Sequence, residues 1–235
     1  MSTNARVILI VNPNTNTSTT AMMRELAAAE LGDSGLEVVG ITVLQGPKML
    51  IDPENFTASA EYVQDVVHSY LAGPEGSNVA AIVIAAIGDP GWQELSDEVQ
   101  MPVVGIGEAA ILAASEQGRP FGMATSTPLL VPSLTRLVAK HGQAAQFCGV
   151  KLTASEPLAL AADPQEQFRQ LRQAVLESVA SGAQAVIIAG GPLSETARRL
   201  SAEGVAVIIE PIPNACRLVL RKLRTDPLVT PRSMD

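Results

Sequence analysis

The chain has few of the residues that build metal, disulfide or nucleic-acid sites. Its 235 residues include two cysteines and two histidines, and no His/Cys/Asp cluster has metal-ligand spacing. The formal net charge is −8, with no clustered Lys/Arg to neutralise phosphates. No apolar run reaches the roughly 18 to 20 residues that a membrane span requires. The sequence therefore argues against a metal site, a nucleic-acid partner and membrane insertion.

Aromatic residues are also scarce, with one Trp, two Tyr and four Phe in a chain that is 47% hydrophobic. The core is therefore expected to be aliphatic, built from Ala, Val, Ile and Leu. There is no P-loop and no GxGxxG motif, so we expect no cofactor. The two cysteines suggest a reducing compartment, and Met1–Arg6 leads into a strand without a signal-peptide pattern. These features predict a cytoplasmic protein.

Short apolar, β-branched runs alternate with longer helical patterns, which predicts an α/β fold of right-handed βαβ units. Continuous apolar strands are typical of parallel sheets covered on both faces. The predicted strands are Arg6–Val11, Glu37–Val43, Ala80–Ala85, Pro102–Gly105, Phe121–Ala124, Gly149–Thr153, Ala185–Ala189 and Ala206–Ile209. The predicted helices are Ser18–Leu31, Ala58–Leu71, Glu108–Glu116, Leu130–His141, Pro164–Ser181, Ser194–Ala202 and Asn214–Arg224. The tail Thr225–Asp235 is predicted to be disordered.

The two halves of the chain resemble one another. Ala81–Gly88 reads AIVIAAIG and Ala185–Pro192 reads AVIIAGGP, at the spacing of 104 that separates Ala86 from Gly190. The same spacing aligns a second block that follows each segment. Duplication explains this better than coincidence. It predicts two pseudo-symmetric lobes, each a small parallel sheet flanked by helices, with one site in the cleft between them. We expect a lobe of residues 1–105 plus 213–235 and a second lobe of residues 106–212.

Ligands of parallel α/β sheets bind beyond the carboxyl ends of the strands. The first strand is followed by Asn12–Ser18, which is rich in Asn, Thr and Ser, and the fifth by Thr125–Thr127, which carries three hydroxyls. Both segments precede helices and could simply cap them. Two polar helix N-termini at one cleft also favour binding of a carboxylate, imide or ureido oxygen.

Three carboxylates follow strands and are candidates for proton transfer. Asp89 lies in Gly88-Asp89-Pro90-Gly91, Glu195 follows Gly190-Gly191-Pro192, and Glu210 follows the last strand. Each could act as a base if partly buried. Each could equally be a cap or turn residue, and for Asp89 a structural role is favoured.

Three motifs together resemble the aspartate/glutamate/hydantoin racemase superfamily, most closely its hydantoin and allantoin racemase branch. They are Val11-Asn12-Pro13-Asn14-Thr15, Gly88-Asp89-Pro90-Gly91 and Pro102–Ala110 (PVVGIGEAA), with Gly46-Pro47 between the first two. The resemblance implies two α/β lobes and cofactor-independent proton transfer at a carbon next to a carbonyl. It also implies a homo-oligomer.

In that branch two cysteines face each other across the substrate, one as base and one as acid. The resemblance places them where this chain has Ala86 and Gly190. Cys148 and Cys216 do not align with either position, and we expect both to be structural. The resemblance and the strand ends together predict a ligand site made of Asn12, Asn14, Pro47, Ala86, Ile87, Gly88, Thr125, Ser126, Thr127, Gly190, Gly191 and Pro192.

Three functions remain open at this point. The first is a cofactor-independent racemase or epimerase acting on a small carboxylate, ureide or cyclic amide, with Asp89, Glu195 or Glu210 in place of the thiols. The second is a hydrolase or lyase, in which Asn12 and Thr125–Thr127 stabilise an oxyanion and a carboxylate activates water. The third is a small-molecule binder without catalysis, because fold alone does not decide function.

Overall fold

The computed structural model describes residues 6–225, and the fold is α/β with two parallel sheets of four strands each. The strand orders are β2-β1-β3-β4 and β6-β5-β7-β8, so the second sheet repeats the topology of the first. The strands are β1 (Arg6–Asn12), β2 (Leu36–Thr42), β3 (Val79–Ile84), β4 (Val103–Gly105), β5 (Phe121–Thr125), β6 (Phe147–Leu152), β7 (Ala185–Ile188) and β8 (Val207–Ile209). The matching orders support the duplication inferred from the sequence.

Helices cover both sheets. They are α1 (Thr17–Leu31), α2 (Pro53–Leu71), α3 (Trp92–Glu98), α4 (Ile106–Ala114), α5 (Val131–Lys140), α6 (Pro157–Ala162), α7 (Pro164–Ala180), α8 (Ser194–Glu203) and α9 (Pro211–Thr225). The residue that directly precedes the helix caps three of them with its side chain: Asn16 accepts hydrogen bonds from two N–H groups at the start of α1, Asp163 does the same for α7, and Asp52 caps α2. These caps satisfy N–H groups that no helix can satisfy internally.

The central strands are fully buried because helices pack on both faces. Every residue of β3, β5 and β7 is buried. Alternate side chains of β1 enter different cores: Ile8 and Ile10 face α1 and α9, whereas Leu9 and Val11 face α2. This explains why the strands have apolar runs rather than alternating patterns.

Two helices connect the halves. Helix α9 ends the described chain but packs in the core of the first sheet, where Ile212 and Cys216 belong to the same buried cluster as Ile8 and Ile10. Helix α4 contributes Ala109 to that core and Ile111 to the core of the second sheet. The proposed division at residues 105 and 106 falls between β4 and α4, and it stays a prediction.

All eight strands were predicted to within two residues of their observed bounds. All seven predicted helices are also present. The prediction missed α3 and α6, which are seven and six residues long and too short to show a helical period. Thr225 ends α9, and the rest of the tail that was predicted to be disordered lies outside the described residues. None of the helices in residues 6–225 is long and apolar enough to cross a membrane.

Candidate active site

A cavity of about 360 Å³ lies where the carboxyl ends of β1, β3, β5 and β7 meet. Residues from both halves line it, so the cleft joins the two sheets. Nine of the predicted ligand-site residues are on its wall: Asn14, Ala86, Ile87, Thr125, Ser126, Thr127, Gly190, Gly191 and Pro192. The remaining three, Asn12, Pro47 and Gly88, are not among the residues that line it.

Asn12 supports the wall by orienting Asn14. The amide oxygen of Asn12 accepts a hydrogen bond from the backbone N–H of Asn14. The amide nitrogen of Asn12, Nδ2, donates to Asn14 Oδ1, Asn16 O and Thr20 Oγ1. Asn14 Oδ1 also accepts the backbone N–H of Asn16. Because a backbone N–H can only donate, these bonds fix both amide orientations. Asn14 lines the cavity, and its Nδ2 donates to no acceptor among residues 6–225.

The loop after β5 forms the opposite polar wall. Thr125 Oγ1 donates to Ala189 O at 2.8 Å and lies 3.0 Å from Thr127 Oγ1. Since Thr125 has one hydroxyl proton, Thr127 is the donor of the second bond. The hydroxyl of Ser126 has no partner in the described part of the chain and lines the cavity. Asn14 and Ser126 thus supply neutral donors from the two halves.

The ends of β3 and β7 approach one another inside the cavity. A Cβ built on Gly191 would lie 2.9 Å from the carbonyl oxygen of Ala85, so only glycine fits without a shift. Gly190 is different: its φ of 167° is extended, and an added Cβ would meet only the Leu193 side chain, at 3.2 Å. Ala86 and Gly190 both line the wall, and neither can exchange a proton.

Neither cysteine of the chain reaches this cavity. Cys216 is buried in α9 beside Ile8 and Ile212, and burial raises the pKa of its thiol to about 12. Cys148 is half-buried in β6, packed in the core formed with Leu171 and Val186. Their positions are those of structural side chains, and neither is placed to act as a thiolate base.

Asp89 lies outside the cavity wall and caps α4. Its two carboxylate oxygens accept the backbone N–H groups of Gly107 and Glu108 at 2.8 and 2.7 Å. A Cβ on Gly105 would lie 2.0 Å from the Asp89 carboxyl carbon, so this close approach requires glycine. Burial raises the pKa of Asp89 to about 8, although the two N–H donors favour the charged form and lower the pKa. Asp89 therefore positions the loop that carries Ala86.

Of the other two carboxylate candidates, one lines the cavity. Glu195 is exposed at the start of α8, on the cavity wall. Glu210 is half-buried and absent from the wall, and its backbone carbonyl accepts hydrogen bonds from Asn214. Among residues 6–225 the only ionisable side chains on the wall are Glu195 and Arg199. The described residues also contain no cluster of three or more His, Cys, Asp or Glu able to hold a metal.

Sequence reasoning missed the apolar part of the wall, and Gln167, Thr196 and Arg199. The missed apolar residues include Met22, Met49, Leu50, Phe56, Leu130, Pro157, Ala161, Pro164 and Leu193. Most lie on helices or long loops rather than directly after a strand, so the rule about strand ends does not reach them. For those on helices, the only sequence signal is helical spacing, and residues buried in the core show the same spacing.

Comparison with known proteins agrees with this geometry. The family model described as Asp/Glu/hydantoin racemase matches residues 8–219. A hydantoin racemase of Paenarthrobacter aurescens is 28% identical over 213 residues, covering 90% of this chain and 88% of the relative. One of Pseudomonas sp. (strain NS671) is 29% identical over 203 residues, covering 86% and 80%. The structure of allantoin racemase from Klebsiella pneumoniae superimposes with a TM-score of 0.83 at 21% identity, covering 98% and 95%.

Proposed function

The chain belongs to the Asp/Glu/hydantoin racemase family, and on that premise we propose that it is a cofactor-independent isomerase that inverts a carbon beside a carbonyl in a small cyclic amide or ureide, without a thiol. The observation that carries the proposal is the pair of neutral donors at the strand ends, Asn14 Nδ2 and Ser126 Oγ, which line the cavity of a racemase fold. A cyclic amide presents carbonyl oxygens to such donors, and it needs no counter-ion.

The chemistry follows from these groups. When the C–H bond beside the carbonyl breaks, its electron pair moves onto the carbonyl oxygen and forms an enolate. N–H and O–H donors stabilise that oxygen more strongly in the transition state than in the substrate. Asn14 is held for this role by Asn12, whose own amide is fixed by backbone hydrogen bonds. The amide therefore needs no reorganisation as charge develops.

The proton requires a carrier, and we assign it to Glu195, because it is the one carboxylate on the described cavity wall. Glu195 takes the proton on the side of Gly190. A water molecule donates a proton to the opposite face, over Ala86, and the product carries the inverted centre. Glu195 then gives its proton to the resulting hydroxide, so that no net proton is consumed. Asp89 and Glu210 are not needed as proton carriers in this scheme, since neither lines the wall. We propose that Ala86 and Gly190 occupy the positions at which the family has its cysteine pair.

Proton exchange tests the proposal. A single enantiomer of a 5-substituted hydantoin is incubated in deuterated water, exchange is followed by NMR and inversion by circular dichroism. We expect Glu195→Gln to lower both rates by about 100-fold or more, the usual contribution of a general base. Glu203→Gln is the matched control, because Glu203 is an exposed carboxylate near the other end of α8. The variant Cys148→Ser/Cys216→Ala should retain exchange.

Unchanged exchange in Glu195→Gln would contradict the role of Glu195, and loss of exchange in the double cysteine variant would contradict thiol-free chemistry. The hydrolase or lyase and the non-catalytic binder gain no support from the relatives. Saturable binding without exchange would nevertheless revive the binder. Action in the cytoplasm and assembly as a homo-oligomer belong to the same proposal, and their support is the family relationship alone.

A further inference from the structure

We propose that the cavity selects substrates with a carboxylate on a short side arm, and that Arg199 binds this carboxylate. The inference rests on the proposed function, because it assigns the far end of the same cavity. Arg199 is the only cationic side chain on the wall among residues 6–225. Its charge is opposite to that of a carboxylate and suits bidentate binding.

The helix geometry explains how the Arg199 side chain reaches the cavity wall. Helical side chains tilt toward the N-terminus of their helix, and α8 begins beside Gly191. Arg199 therefore reaches back toward the strand ends and lines the cavity although its own turn is further along α8.

Arg199 is positioned and is free to bind an anion. Its guanidinium carbon lies 4.2 Å from the ring centroid of Phe168 on α7, a cation–π contact that uses none of its N–H groups in a hydrogen bond to an oxygen acceptor. The arginines nearby on α7 differ: Arg169 pairs with Glu166 and Arg172 with Glu203. No carboxylate of the described residues lies within ion-pair distance of Arg199.

A neutral donor lies on the same part of the wall. Gln167 Oε1 accepts the hydroxyl proton of Thr196 at 2.6 Å, and its Nε2 faces the carbonyl oxygen of Leu160 at 3.4 Å. Because a carbonyl oxygen only accepts, the amide nitrogen must be on that side. The second N–H of Gln167 has no acceptor among residues 6–225, and Gln167 lines the cavity. It can complete the binding of a carboxylate oxygen beside Arg199.

The spacing of charge along α8 limits the length of the arm. Glu195 precedes Arg199 by four residues, about 6 Å along the helix axis. A substrate whose reacting carbon is near Glu195 would place its carboxylate roughly one helical turn further. An acetate or propionate arm on the reacting carbon covers that distance once hydrogen-bond lengths are included. A longer arm would carry its carboxylate beyond the guanidinium of Arg199. The charge of such a substrate lies on the arm, and its ring is neutral.

Paired probes that differ only in charge provide the test. Hydantoin carrying a propionate arm at the reacting carbon is compared with the same ring carrying the propionamide arm, by isothermal titration calorimetry. We expect the full chain to bind the acid at least about tenfold more tightly than the amide. Arg199→Gln should reduce this ratio to about threefold or less. Arg198→Gln removes the same charge from a position of the same helix that does not line the cavity, and this variant should keep the tenfold ratio. Added salt should lower the ratio in the natural chain.

Equal affinity for both probes, no binding of either, or an equal loss in Arg198→Gln would each overturn the inference. The proposed function fails separately. If the acid is preferred through Arg199 but its α-proton does not exchange, the subsite exists and the isomerase assignment is wrong. If both probes exchange with equal efficiency and Arg199→Gln changes nothing, the isomerase assignment holds and the subsite is wrong.

Discussion

The loops after β3 and β7 hold equivalent positions in two sheets of the same strand order. Each carries a carboxylate soon after the strand, but the two carboxylates lie in opposite environments. Asp89 is turned away from the cavity into a buried contact with the N-terminus of α4. Glu195 is exposed on the cavity wall at the start of α8.

The two halves therefore share their strand order and differ in the chemistry of these two loops. In the first half the carboxylate holds α4, which packs in the cores of both sheets. In the second half the glycines of Gly190-Gly191 bring the backbone close to β3, and the carboxylate stays available to a ligand. Oriented donors come from both halves through Asn14 and Ser126. All ionisable groups on the described wall come from the second half.

Installing thiols at both strand ends would restore chemical symmetry, and we expect the largest effect from this change. The variant Ala86→Cys/Gly190→Cys should racemise a 5-substituted hydantoin at least about 100-fold faster than the natural chain, because thiols are effective proton carriers. The backbone permits it: Ala86 already has a Cβ, and at Gly190 only the flexible Leu193 must shift. Circular dichroism follows the inversion.

The matched control is Ala86→Ser/Gly190→Ser, which has nearly the same shape with hydroxyls in place of thiols. If the serine and cysteine variants have equal rates, the gain does not come from thiol chemistry. If neither variant exceeds the natural chain, Ala86 and Gly190 are not the positions between which the proton moves.

Removing the carboxylates of Asp89 and Glu195 one at a time should show their different contributions to stability. We expect this effect to be smaller than that of the two thiols. Asp89→Ala leaves the N–H groups of Gly107 and Glu108 without an acceptor in a buried place, and we expect a loss of about 2 kcal/mol or more in the free energy of unfolding. Glu195→Ala removes an exposed side chain and should cost less than about 0.5 kcal/mol. Urea unfolding followed by far-UV circular dichroism measures both. Similar losses would contradict the contrast between the loops.

The sequence predicted what depends on local pattern. Parallel strands that are buried on both faces have to be apolar throughout, so runs such as Ile8–Val11 and Ala81–Ile84 were predicted as buried strands. Helices with eight or more residues showed a period, and α3 and α6 are too short to do so. The repeat predicted one cleft for the ends of β3 and β7, and residues that follow both strands line the cavity.

The directions of the side chains could not be predicted. Asp89 and Glu195 follow equivalent strands, and nothing in the two segments tells which carboxylate enters the cavity. Asp89 turns away because its backbone has a φ of 56° and because Gly105 and Gly107 leave room at α4, residues that only the tertiary structure brings near. Arg199 was missed for the same reason, since it reaches the wall from the middle of a helix.

The pH dependence of stability should reveal the burial of Asp89 as a still smaller effect. Its pKa is about 8 in the folded chain and 3.8 in the reference state, so between these values the folded chain holds a proton that the unfolded chain releases. Raising the pH therefore favours unfolding: the contribution of Asp89 to the free energy of unfolding is fully present below about pH 4 and is lost as the pH rises toward 8.

From pH 6 to pH 7 the free energy of unfolding of the natural chain should fall by up to about 1.4 kcal/mol relative to Asp89→Asn, which cannot titrate. Urea midpoints at the two pH values give this difference, and other titrating groups cancel in it. No difference between the two pH values would mean that the N–H groups of Gly107 and Glu108 outweigh desolvation and keep Asp89 charged at neutral pH, because the carboxyl would then be ionised in both the folded and the unfolded chain. In that case the contrast between Asp89 and Glu195 would be one of burial and orientation alone.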